Sequence, residues 1–94
     1  MKSVRRFRDR LKEDLKDPEF RKAFEEEEIY ASLAIQIAKI REEGNLTQKE
    51  LAKRLHTTQQ TVSRLEDVDN RSYSLKTLVK LADALDKRLK VELV

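Results

Sequence analysis

The sequence predicts an all-α protein with a four-helix core, an N-terminal helical extension and a short C-terminal β-strand. Apolar residues recur every three or four positions along most of the chain, which is the period of an amphipathic helix. One glycine and one proline occur among 94 residues, so little interrupts the many glutamates, lysines, arginines and leucines that favour helices. Only the final segment, residues 88–94, changes to the two-residue period of a strand. A chain of this length holds one small domain.

The N-terminal extension is predicted to cover residues 1–28 as two helical segments. The apolar stripe of the first segment consists of Val4, Phe7, Leu11 and Leu15. Asp17 and Pro18 separate the segments, because aspartate caps helices and proline suits the first helical position. The apolar stripe of the second segment consists of Phe20, Ala23 and Phe24.

Four consecutive glutamates, residues 25–28, follow the second segment and are called the acidic run below. Two interpretations of the run stay open: a solvated helix face, or a surface that contacts a basic partner. The apolar stripe of the first segment likewise packs on its own domain or becomes ordered on a partner.

The core domain is predicted to cover residues 29–87. Its first helix has a denser apolar stripe and ends at Gly44, as glycine just past a helix end should. Thr47 and Glu50 have the spacing of a capping box, which opens a short helix. A second short helix covers residues 58–66, and Ser74 caps the last helix of the core.

The C-terminal segment, residues 88–94, is predicted to be a dimerisation strand because Leu89, Val91 and Leu93 alternate with charged residues. A strand needs a partner for its N–H and C=O groups and for its apolar face. The sequence contains no second strand, so the expected partner is the same strand of a second copy, antiparallel about a two-fold axis. A frayed tail, or a strand added to the sheet of another protein, is the alternative.

Composition excludes several classes of function. The chain has no cysteine and one histidine, His56, so neither a metal site nor a cofactor site is expected. No cluster of catalytic groups is present, so an enzyme is not expected. No run of about 18 apolar residues exists, and the cytoplasm is the expected compartment. The net charge of +3 lies entirely in residues 29–94, since residues 1–28 hold nine basic and nine acidic side chains. This distribution fits a nucleic-acid binder, although ordinary domains share it.

The two short helices, joined by about three residues, match the helix-turn-helix motif. Ala52 lies at the predicted crossing of the two helices, and Val62 and Leu65 face inward from the second one. The side chains left facing outward are Gln59, Gln60, Ser63 and Arg64. Glutamine pairs both hydrogen-bonding groups with adenine, and arginine pairs with guanine, so this face suits the DNA major groove. The alternative is a solvated helix face.

The resemblance to a known family rests on two stretches, LTQKELA at residues 46–52 and TTQQTVSRLE at residues 57–66. They resemble the Cro/C1 (Xre-type) repressors, whose λ-repressor-like core corresponds to roughly residues 30–86. The resemblance implies that double-stranded DNA is the ligand. The positions implied to contact base edges are Gln59, Gln60, Ser63 and Arg64. The positions implied to contact phosphates are Gln48, Thr58, Asn70 and Arg71.

The resemblance also implies that Arg41 and Glu66 lie together beneath the second helix as a structural ion pair. A surface ion pair, or a contact between Arg41 and DNA, is the alternative. The sequence departs from the family at His56, which replaces a glycine, although histidine tolerates a positive φ better than most residues. Asp67 and Asp69 also depart from the family pattern, and their carboxylates are expected to repel phosphate.

The segment at residues 15–20, the acidic run, the core and the strand-like tail together resemble HigA-like antitoxins. This resemblance implies a homodimer that represses its own operon at a palindromic operator and neutralises a RelE/HigB-type ribonuclease toxin. The expected toxin contacts are Phe7, Leu11, Phe20, Phe24, Glu25 and Glu28. A stand-alone Xre-type regulator, or an adaptor with the same fold that binds only protein, is the alternative.

Overall fold

The structure is a computed structural model that describes residues 2–94, with side chains described from Arg6 onward. The side chain of Val4, predicted to join the first apolar stripe, therefore lies outside the described residues. The helices of the described chain are α1 (Lys2–Asp14), α2 (Pro18–Glu43), α3 (Gln48–Arg54), α4 (Gln59–Leu65) and α5 (Leu75–Ala84). The predicted all-α class is confirmed. Within the described chain, no helix is both long and apolar enough to cross a membrane.

Helix α2 is longer than the sequence pattern predicted. Asp17 caps it, accepting a hydrogen bond from the backbone of Glu19 at 3.0 Å, and Pro18 is its first residue. The second segment of the extension and the first core helix were predicted as separate helices, but α2 runs through both as 26 continuous residues. The acidic run carries no apolar stripe, yet glutamate is a good helix former and no breaker follows it. The boundary expected between residues 28 and 29 thus lies inside a helix.

The ends of the short helices follow the predicted caps. Thr47 and Glu50 form a reciprocal capping box, with hydrogen bonds of 3.0 and 3.1 Å between the side chain of each and the backbone N–H of the other. Thr58 and Ser74 cap α4 and α5 through their hydroxyl groups. Hydroxyl caps satisfy backbone N–H groups that the first helical turn leaves unpaired, so these residues fix where each helix begins.

The hydrophobic core is formed by the helices from the second half of α2 onward. Its buried residues are Ile37, Leu51, Ala52, Val62, Leu65 and Leu81. Leu51 and Val62 are completely buried, and Ala52, beside them, leaves α3 and α4 room for close approach. No residue of the described part of the extension belongs to this core cluster. The packing that orients α4 therefore comes from α2, α3 and α5.

The predicted C-terminal strand is wrong for the isolated chain. Residues 87–94 adopt no regular secondary structure in the described chain. Leu89 is 38% exposed, Val91 68% and Leu93 fully exposed, so the alternating side chains do not cover a buried face. The physical reason is the one that defines a strand: its backbone groups and its apolar face need a second strand. The described chain offers none to pair with this segment.

Candidate nucleic-acid interface

Helix α4 presents one polar face to solvent. Val62 and Leu65 are buried on its inner side. The four side chains predicted to contact bases are all exposed: Gln59, Gln60, Ser63 and Arg64. Their spacing of one, four and five positions places them on one continuous stretch of the helix surface. The helix therefore exposes amide, hydroxyl and guanidinium groups together, the groups that hydrogen-bond to base edges.

The turn between α3 and α4 depends on one residue in the left-handed region. His56 has φ 54°. Its backbone N–H donates to the carbonyl of Lys53 at 3.1 Å, and that of Thr57 donates to the carbonyl of Ala52 at 2.9 Å. These two bonds have the pattern of a Schellman motif, whose left-handed position is usually glycine. The turn thus forms with histidine in place of the family's glycine.

Arg41 and Glu66 form a bidentate ion pair beneath α4. Arg41 Nε donates to Glu66 Oε2 at 2.7 Å, and Nη2 donates to Glu66 Oε1 at 2.9 Å. Arg41 Nη1 donates to the carbonyl oxygen of Leu46 at 2.7 Å. The two side chains are only 11% and 7% exposed, and the hydrogen bonds that Arg41 donates to the Glu66 carboxylate raise the pKa of Arg41. Every nitrogen of the guanidinium thus donates to an oxygen of the protein, which favours a structural ion pair.

Two of the residues expected to contact phosphate lie at the starts of the short helices. Gln48, the first residue of α3, donates its side-chain amide to Glu66 Oε1 at 3.2 Å. Thr58 accepts a hydrogen bond from the backbone of Thr61 as the cap of α4, so its hydroxyl holds the helix end. Both side chains therefore also hold the fold, and the exposed groups beside them are further candidates for the phosphate contacts.

A shallow concave surface between the starts of α3 and α4 contains further cationic groups. It is lined by Thr47, Lys49, Glu50, Ala52, Lys53, Thr57 and Gln59. Lys49 and Lys53 are exposed there beside Gln59, one of the residues expected to contact bases. Sequence reasoning did not include Lys49, although its place in the capping box marks it as part of the first turn of α3. Lysines at such a position bind phosphate as point charges.

The loop after α4 holds the other two phosphate candidates, and both are occupied by the protein itself. Asn70 Oδ1 accepts a hydrogen bond from the backbone of Ser72 at 3.0 Å, and Asn70 Nδ2 is buried with no hydrogen-bond partner among the described residues. Arg71 forms an ion pair with Glu27 of the acidic run and lies over the ring of Tyr30 at 4.9 Å from its centroid. The structure thus brings Arg71 to the extension. The charges of the acidic run were visible in the sequence, but their partner was not.

Two tyrosines fix the end of the same loop against α4. The Tyr73 hydroxyl donates to the carbonyl oxygen of Leu65, the last residue of α4, at 2.6 Å. The ring of Tyr30 stacks on the ring of Tyr73 with 6.3 Å between centroids. Buried or half-buried tyrosines commonly combine apolar packing with one hydrogen bond in this way. The sequence pattern does not predict this contact, because the two tyrosines lie 43 positions apart in the chain.

The residues expected to contact a toxin lie on α1 and the first half of α2. Phe7 is 67% exposed, and Leu11 is half-buried. Phe20 is partly exposed and stacks on Phe24 with 6.4 Å between ring centroids. Glu25 and Glu28 are exposed. The extension therefore presents apolar and acidic side chains to solvent together.

A comparison with known protein families identifies the family to which the region around α3 and α4 is similar. A family model described as helix-turn-helix matches residues 37–91. The matched region includes α3, α4 and α5 with their turns and the end of α2. No curated protein and no solved structure gives a significant match to the chain.

The ion pair beneath α4 leads to a prediction for stability. Arg41→Ala leaves Glu66 almost buried without its partner, and we expect it to lower the free energy of unfolding by about 3 kcal/mol. The control is Lys90→Ala, which removes a lysine that is 79% exposed and lies 2.9 Å from Glu92. Because exposed pairs are worth less than about 1 kcal/mol, the control should change little. Urea denaturation followed by circular dichroism measures both, and equal losses would contradict a structural role for the pair.

Proposed function

The chain belongs to the Cro/C1-type helix-turn-helix family, whose members are DNA-binding transcription regulators, and from this membership we propose that it is a sequence-specific repressor. The observation that carries the proposal is the outer face of α4, which we name the recognition helix. Its exposed polar side chains belong to a helix anchored by Val62 and Leu65 and capped by Thr58. A rigid helix of this kind fits the major groove.

The proposed contacts divide by chemistry into base readout and phosphate binding. Gln59, Gln60, Ser63 and Arg64 are proposed to contact base edges. Lys49 and Lys53 are proposed to bind phosphate beside the start of the recognition helix, together with Gln48, Thr58, Asn70 and Arg71. Phosphate contacts set the position of a protein on the duplex, whereas base contacts give sequence preference.

Base readout predicts a sequence-dependent loss of affinity. We expect Gln60→Ala to cost about 1–3 kcal/mol on the preferred DNA site and to relax preference at one base pair. Gln36→Ala is the matched control, since Gln36 is an exposed glutamine on α2. Gel shifts on the promoter region of the protein's own gene, with a scrambled duplex beside it, measure the effect. An unchanged affinity in the Gln60→Ala protein contradicts the proposed register of the recognition helix.

We further propose that the repressor binds a palindromic operator as a homodimer. The C-terminal third exposes several large apolar side chains, which monomeric proteins seldom leave together in solvent. They include Leu75, Val79, Leu89, Val91, Leu93 and Val94. Burial of these side chains between two copies about a two-fold axis would present two recognition helices to DNA half-sites about 34 Å apart.

Dimerisation through this surface predicts a change in sedimentation. Val91→Ser with Leu93→Ser removes two exposed side chains that make little contact with their own chain, so the fold should keep its thermal stability. Because buried apolar area drives association, we expect the parent to be a dimer at micromolar concentration and the variant to shift toward monomer. A chain ending at Lys87 should behave as the variant does. A monomeric parent, or a variant dimer as tight as the parent, contradicts the proposal.

A second proposed function is that of the antitoxin of a toxin–antitoxin pair. It is supported by the resemblance to HigA-like antitoxins and by the surface of the extension, which exposes Phe7 and Phe20 as well as the acidic run. A RelE/HigB-type ribonuclease binds RNA, so it should offer a basic surface that attracts the acidic run. Aromatic side chains, phenylalanine included, are enriched in protein interfaces. The residues proposed for toxin contact are Phe7, Leu11, Phe20, Phe24, Glu25 and Glu28.

Toxin neutralisation predicts that growth rescue depends on the extension. Phe7→Ser with Phe20→Ser should abolish rescue when the variant is co-expressed with the product of the adjacent gene, while DNA binding survives. Ile35→Ser, at an exposed apolar residue further along α2, is the control. Because α2 is continuous through residue 28, these substitutions test the surface more cleanly than a deletion of residues 1–28. Full rescue by the double variant shows that the toxin interface lies elsewhere. Failure of the parent to rescue points to a stand-alone regulator, and failure of the parent to bind DNA points to a protein-binding adaptor.

A further inference from the structure

The loop that follows the recognition helix is tied to the acidic run through one arginine. Arg71 pairs with Glu27, 44 residues away in the chain. Its guanidinium lies over the ring of Tyr30, and its Nη1 donates to the carbonyl oxygens of Val68 at 3.0 Å and Asn70 at 3.2 Å. These contacts hold the cationic group of Arg71 against the protein, in the loop that follows the recognition helix.

The chemistry of this pair is also the chemistry of phosphate binding. Guanidinium groups bind carboxylate and phosphate oxygens with the same N–H donors. The hydrogen bond to Glu27 raises the pKa of Arg71, so the group stays fully charged. Among the ion pairs of the described residues, Glu27 is the one member of the acidic run that takes part. Its neighbour Glu26 carries the same charge and is exposed.

We propose that Glu27 is an intramolecular competitor of DNA phosphate for Arg71 and thereby sets the affinity of the protein for the DNA backbone. This inference rests on the proposed DNA binding. The loop then has two states, one with Arg71 on Glu27 and one with Arg71 on a phosphate. Both groups of the pair are partly exposed, at 36% and 64% of their side chains, so exchange between the two anions needs no rearrangement of the core.

Binding of a cationic protein to the acidic run is thermodynamically linked to binding of DNA by Arg71. A cationic protein that neutralises the acidic run also removes the competitor, so it strengthens the contact between Arg71 and DNA. Coupling between two ligands is reciprocal, and DNA that holds Arg71 therefore leaves Glu27 free for the cationic partner. The sign of the coupling is positive: each ligand favours the other.

The experiment compares Glu27→Gln with Glu26→Gln, which removes the same charge from the same helix without touching Arg71. Binding of a fluorescent mixed-sequence DNA duplex is measured by anisotropy over a range of salt concentrations. We expect Glu27→Gln to bind about two- to fivefold more tightly than Glu26→Gln, the range set by an exposed ion pair. The slope of log K against log salt should steepen by about 0.9, the value for one added phosphate contact. In an Arg71→Gln background the difference between the two variants should vanish.

Each alternative result overturns the competition. Equal affinities and slopes for Glu27→Gln and Glu26→Gln show that Glu27 does not compete with phosphate for Arg71. Weaker binding by Glu27→Gln shows that the pair orders the loop for DNA instead of opposing it. A difference that persists in the Arg71→Gln background assigns the effect to another cation. Failure of the parent to bind any duplex removes the proposed DNA function and this inference with it, whereas parent binding with equal variants removes the inference alone.

Discussion

The position of the recognition helix depends on the guanidinium of Arg41. Apolar burial of Val62 and Leu65 holds the helix against the core, but burial is not directional and permits rotation and sliding. Arg41 supplies direction, because its fork meets both oxygens of Glu66, the residue directly after the helix. Its remaining nitrogen reaches Leu46 just before α3. One side chain from the end of α2 therefore fixes the start of the motif and its end together, with the specificity of bidentate geometry.

The parts of the fold that the sequence predicted are those determined by residues a few positions apart. The helix caps join residues that lie three positions apart, so the sequence alone predicts them. They are the capping box of Thr47 and Glu50 and the hydroxyl caps of Thr58 and Ser74. The buried positions of α3 and α4 follow from helical period for the same reason. Gly44 predicted the end of α2 to within one residue. Gly44 itself has φ −83°, and its neighbour Asn45 takes the left-handed conformation that usually ends a helix, with φ 58°.

The parts that the sequence did not predict depend on distant or absent partners. The acidic run lacks an apolar stripe, so periodicity left its conformation open, and only helix propensity favoured a continuous α2. The tail at residues 88–94 has the alternation of a strand, but alternation describes which side chains share a face and supplies no partner. The contact between Glu27 and Arg71 joins two charged residues among many, and no local pattern selects this pair from the others.

Helix α2 links the two surfaces to which function is proposed. Glu27 lies in its first half and holds the loop after the recognition helix, while Arg41 lies near its end and holds Glu66, where that loop begins. The two residues are separated by about 21 Å of helix at 1.5 Å per residue. Tyr30, between them, stacks on Tyr73, whose hydroxyl binds the last carbonyl of the recognition helix. A partner that binds the acidic run would therefore act on the loop directly, because the same continuous helix carries the proposed partner surface and the residues that hold the recognition helix. No hinge or flexible segment is needed to connect them.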